Sequence, residues 1–111
     1  MKNVEINDNK LIIDKKEVFF EKKILEVKIV NEIIVVLLAI DGSLDNVYGI
    51  NQNGDLLWKI QEPNKEIIGK NRFPYVGLSE RDNKLGVIDF YGRRLYIDIN
   101  NGEIIGKDIV K

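Results

Sequence analysis

A chain of 111 residues is long enough for one modest hydrophobic core and too short for a second of ordinary size, so a single domain spanning 1–111 is expected. Its 17 Lys and Arg against 18 Asp and Glu leave a formal net charge of -1, which gives no electrostatic basis for a polyphosphate partner; nucleic acid is not expected to bind. Cys and His are both absent, which excludes disulfides, thiolate metal sites and cysteine nucleophiles and removes the usual general base and zinc ligand.

Residues 1–8 carry charges where a secretory signal would need its apolar core, and no segment is long enough to span a bilayer as a helix. A cytoplasmic chain with no membrane association is the expectation. Residues 4–6 and 10–14 alternate apolar and polar on either side of Asn7-Asp8-Asn9, which reads as a hairpin with Leu11 and Ile13 on one face. Val18-Phe19-Phe20 adds a short strand. Lys15-Lys16 and Lys22-Lys23 lie among Asp14, Glu17 and Glu21, a mixed solvated edge and not a basic patch.

In residues 24–30 Leu25, Val27 and Ile29 alternate with Glu26 and Lys28, so this strand is expected to be wet on one face. Residues 33–40 are apolar at both parities, β-branched at the start and closed by Asp41-Gly42. A strand tolerates that pattern only where both faces of its sheet are covered, which puts this run at the centre of the core. Asp41, Ser43 and Asp45 space oxygen ligands as a calcium loop opens, but Asn46 stands where that loop needs Gly and Gln52 where it needs a bidentate Glu. A plain turn is expected, and no metal.

Val47-Tyr48-Gly49-Ile50-Asn51-Gln52-Asn53-Gly54-Asp55-Leu56-Leu57-Trp58-Lys59-Ile60 reads as two strands folded about an Asn-Gly turn. Alternation puts Leu56, Trp58 and Ile60 on one face, with Trp58 toward the core. Residues 61–74, bounded by Pro63 and Pro74, form the longest interval without a clear strand; a short extended piece at Ile67-Ile68 is the most it suggests. Four further strands follow, from Tyr75 through a second Asn-Gly hairpin, Leu95-Tyr96-Ile97-Asp98-Ile99-Asn100-Asn101-Gly102-Glu103-Ile104-Ile105-Gly106-Lys107. No segment has sustained helical periodicity.

Residues 24–60 and 75–109 thus repeat one order of parts: amphipathic strand, apolar strand, Tyr-bearing strand, Asn-Gly turn, final strand. The Gly54 to Gly102 spacing falls within the roughly 40 to 50 residues of propeller blades and similar repeats. The hairpin from Tyr48 to Trp58, with Gly54 and Trp58 separated by three residues, resembles the blades of the pyrroloquinoline-quinone-like β-propeller family. The second copy is similar through Tyr96, Asp98 and Gly102. Asn51 or Ile50 stands where that family favours Asp, Asn53 and Asn101 where it favours Thr, and Gly106 replaces the second Trp. The resemblance implies blade architecture over about two units, with residues 4–21 as the end of a preceding one. It implies no quinone or other cofactor, because a full propeller's site draws on many blades. The expected fold is all-β, with consecutive antiparallel meanders stacked like the blades of an incomplete propeller.

For function, a rigid sheet scaffold with exposed loops and no catalytic set points to a non-catalytic protein-binding module, an inhibitor or immunity-type protein being one form of it. Exposed terminal sheet faces and edges lead to an expected homodimer. The alternative is a carboxylate-based hydrolytic enzyme using Asp89 and Asp98, although Arg93 and Arg94 nearby suggest ion pairing. Arg72, Phe73 and Tyr75 close the long interval and are the residue types enriched at interface hot spots, so they are the expected binding residues. The competing role for Phe73 and Tyr75 is to fold back and cap the core beside Trp58.

Overall fold

The structure, a computed structural model, describes residues 3–40, 44–69 and 71–107. Its strands, numbered in chain order, are β1 (Val4–Asn7), β2 (Lys10–Ile13), β3 (Lys16–Phe19), β4 (Ile24–Val30), β5 (Ile33–Leu38), β6 (Val47–Ile50), β7 (Leu56–Lys59), β8 (Tyr75–Arg81), β9 (Lys84–Asp89), β10 (Arg94–Ile97) and β11 (Ile104–Lys107), with a one-turn helix α1 (Lys65–Ile68). They form three antiparallel meanders: a first sheet of β1 to β3, a second of β4 to β7 and a third of β8 to β11. The fold is all-β, and the sheets stack as in an incomplete propeller, with no closed barrel among the described residues. No helix among the described residues is long and apolar enough to cross a membrane.

The hairpins follow from their turn residues. Asn31 and Glu32 between β4 and β5, and Asp82 and Asn83 between β8 and β9, all take positive φ. Such two-residue loops match the right-handed twist of the strands they join. The second sheet is the middle layer. Ile34, Val36 and Leu38 of β5 pack with Leu11 and Ile13 of the first sheet, whereas Val35 and Leu37 pack with Leu78, Leu85 and Val87 of the third. Two-sided cover is what the apolar run required, and Ile40, beyond the end of β5, is exposed.

The seam between the second and third sheets is closed by Trp58, which is 6% exposed. Its indole lies between two glycines. A Cβ on Gly49, its partner across β6 and β7, would stand 2.2 Å from Cε2, and one on Gly102 would stand 2.7 Å from Cε3. Gly102 also has φ +77, which an L side chain rarely adopts. The indole Nε1–H donates to the Ile99 carbonyl at 2.6 Å, and Gln61 N donates to the Gly102 carbonyl at 2.9 Å. The turn of the third sheet is thereby latched to the last strand of the second. The same latch recurs one sheet earlier: the Gly54 turn lies over Val18 of β3, and Lys16 Nζ donates to the Asn53 carbonyl.

The structure corrects several sequence expectations. A bulge between Ile24 and Glu26 turns Leu25 out to solvent and puts Ile24, Val27 and Ile29 together on the first sheet. The opposite face, expected to be wet, is so only in part: it lies against β8, where Glu26 Oε1 accepts the Leu78 N–H at 2.9 Å, while the Lys28 and Glu26 side chains remain 41% and 36% exposed. A second bulge, beside Gly49, pairs Leu56 with Ile50 and takes it off the face of Trp58. Ile67-Ile68 is helical, not extended: Asn64 Oδ1 caps the Glu66 N–H at 2.9 Å and starts α1. The two tyrosines of the repeat are not equivalent. Tyr48 faces the first sheet, whereas Tyr96, between inward Leu95 and Ile97, faces away from the second. The third sheet's turn, residues 98–103, is one residue longer than the second sheet's, 51–55, and this shifts the match by one. Residues 41–43 of the calcium-like stretch lie outside the described residues.

Truncating Trp58 to Ala is expected to cost about 3–5 kcal/mol in equilibrium denaturation, the usual range for a buried aromatic. Gly49→Ala is expected to destabilise strongly in the wild-type background and much less beside Trp58→Ala, because the clash is with the indole. A double-mutant cycle measures that coupling.

Candidate functional site

Residues 60–74 cross from β7 to β8 over the end of the second seam. Asn46, buried just before β6, anchors the far end. Its Nδ2 donates to the carbonyls of Leu38 and Tyr75, each at 2.9 Å, and its Oδ1 accepts the Tyr75 N–H at 3.2 Å. Tyr75 is consequently 1% exposed and belongs to the core. Burial pushes its phenol from 10.0 up to about 12, against the opposing pull of the Arg72 guanidinium. Burial works against the Arg72 charge too, but the hydrogen bond and charge of Asp45 outweigh it and raise the guanidinium pKa.

Arg93 is the second anchor. Its N and Nε donate to the two carboxylate oxygens of buried Asp89 at 2.9 and 2.8 Å. Its terminal nitrogens donate to the carbonyls of Ile68, at 2.6 Å, and Asn71, at 2.9 Å. One guanidinium thus ties the linker to the turn between β9 and β10. The ring of Phe73 stacks on that of Tyr91 at 5.5 Å and 12°, with the Arg93 guanidinium carbon 5.4 Å from the first ring centre and 5.8 Å from the second. Tyr91 is 74% exposed and its neighbour Phe90 71%.

Arg72, Phe73 and Tyr75 therefore do not form one contact surface. Phe73 reaches the surface cluster, Arg72 is paired with Asp45, and Tyr75 takes the core-capping role. Tyr91 and Arg93 complete the cluster, with Phe90 exposed next to it in the same turn, and these three were missed by sequence reasoning. Their signal was two aromatics in a Gly-containing turn outside the strand alternation, where packing does not call for them. Asp89 and Asp98 are not brought together: they flank opposite ends of β10, Asp89 bonded to Arg93 and Asp98 accepting the Asn100 N–H of its own turn at 2.9 Å. Among the described residues no group of three or more His, Cys, Asp or Glu is placed to hold a metal ion.

The seam between the first and second sheets differs. Its connection, residues 20–23, is short, and beside it lies an open groove of about 390 Å³ over β6 and β7. Phe20, Leu38, Tyr48, Ile50 and Leu56 form its apolar lining and Lys59 contributes an ammonium.

Replacing Arg93 with Ala would leave the Asp89 carboxylate buried and unpaired, so a cost of roughly 3–5 kcal/mol is expected, several times that of Arg72→Ala at its more exposed pair. Chemical denaturation of both variants tests the difference. The folded state holds the Tyr75 proton more tightly than the unfolded chain, so this contribution is intact below pH 10.0 and is lost as pH rises toward about 12. Stability measured across that window should fall, with Tyr75→Phe removing this part of the slope.

No curated protein matches the chain. The family described as "Domain of unknown function (DUF7957)" matches residues 1–109, nearly the whole sequence including all three sheets, and the chain belongs to that family.

Proposed function

We propose that the protein is a non-catalytic protein-binding module whose contact surface is the aromatic–arginine cluster of Phe73, Phe90, Tyr91 and Arg93. The observation that carries this reading is the exposure of Phe90 and Tyr91, 71% and 74%, on a turn that is otherwise tightly fixed. Gly92 N donates to the Asp89 carbonyl at 2.9 Å, Asp89 N to the Arg93 carbonyl at 2.9 Å, and Arg93 is fully engaged behind the rings. Tyr91, stacked on Phe73 beneath the Arg93 guanidinium, and Phe90, fixed through its backbone, stand in water on a rigid base and have little backbone freedom left to lose on association, and preorganised aromatic and Arg groups dominate interface energetics. Arg72 and the linker contribute by holding Phe73 in place.

Affinity capture from the native cell, with the wild type and a Phe90→Ala/Tyr91→Ala variant as baits, tests the proposal. Both side chains are exposed, so the variant should keep its melting temperature within a few degrees while losing the captured protein. Equal recovery on both baits would refute the assignment of this surface.

A further inference from the structure

The two seams are built from equivalent parts, and only one of them is filled. Strand pairing sets the equivalence: Tyr48 faces Lys59 and Ile50 faces Leu56 in the second sheet, as Leu95 faces Lys107 and Ile97 faces Ile104 in the third, with a bulge before the second pair in each case. In the third sheet these positions are closed. The linker lays α1 against β11, Ile68 packs beside Leu95, and Ile104 is 6% exposed. At the matching place in the second sheet Leu56 is 59% exposed and Tyr48 half-buried, because residues 20–23 are too few to supply such a segment. The groove is the same seat without its occupant.

We propose that this groove is a docking site for a short aliphatic polypeptide segment of a partner protein, seated over β6 and β7 as the chain's own linker is seated over β10 and β11. Adjacent aliphatic side chains would cover Leu56, Ile50 and the Tyr48–Phe20 pair, whose rings stand 5.8 Å apart. The charged residues at the groove are balanced, Glu21 and Asp45 against Lys22 and Lys59, with Asp45 bonded to Arg72, so it is the aliphatic patch and not net charge that selects the segment. This surface is separate from the Phe90 and Tyr91 cluster, so either assignment can fail without the other.

The probe is a synthetic peptide with the chain's own sequence from 61 to 69, which carries Glu62, Glu66 and the Ile67-Ile68 pair, titrated into the full-length labelled protein and followed by amide chemical shifts. Saturable shifts confined to β6, β7 and the 20–23 connection are expected, lost with Leu56→Arg. Leu56 is exposed, so this variant should fold, and unchanged far-UV circular dichroism checks that. A Phe90→Ala/Tyr91→Ala variant should bind the peptide as the wild type does. Absence of saturable shifts at millimolar peptide, shifts elsewhere on the surface, or binding indifferent to Leu56→Arg would each overturn the proposal.

Discussion

The architecture depends on β5, a strand apolar on both of its faces. Ile34, Val36 and Leu38 on one side and Val35 and Leu37 on the other are all buried, and each would lose about 1.5–3 kcal/mol if left in water. Neither outer sheet is therefore an appendage. The first sheet covers one face, the third covers the other, and removing either would expose a contiguous stripe of aliphatics to water. The three-layer order follows from this one segment, and the outer sheets need cover on one face only: the outward face of β2 and β3 carries Lys10 and Glu17, ion-paired at 2.7 Å.

How the layers are joined is a matter of a few side chains at each seam. A glycine turn lies on the last strand of the preceding sheet in both cases, but the residue beneath it is Val18 in one and Trp58 in the other. The Trp requires Gly49 opposite it, and its indole N–H requires the Ile99 carbonyl, so the second seam is specified by several residues that must change together. The first seam has no such set, and its connection contributes no covering segment. Similar backbones thus give one closed and one open junction.

Polar residues do at the second seam what aliphatics do at its centre. Asn46 satisfies three backbone groups and Arg93 connects Asp89 with two linker carbonyls, so a segment with little regular structure is held by groups that would be costly to leave unpaired in the interior. The aromatics of the cluster are a by-product of neither burial nor strand pairing. They stand on a frame that would persist without them, which separates contact from stability at this surface.

By itself the sequence determined the all-β class, the consecutive hairpins, the central place of β5 and the inward direction of Trp58. Each of these is written in a local signal, a period of two or an Asn-Gly pair, that acts over a few residues. The tertiary structure alone decided which residues of the repeat correspond. Counted back from the glycine, a turn longer by one residue shifts the preceding strand by one position and reverses its faces, so Tyr48 and Tyr96, matched by spacing, point toward opposite layers, whereas Leu56 and Ile104 after the glycine still correspond. The roles of Arg93, of α1 and of the open groove were likewise decided by contacts across a seam between residues far apart in the chain. Such contacts leave no periodic trace, because they depend on how the layers meet and not on how any one strand alternates.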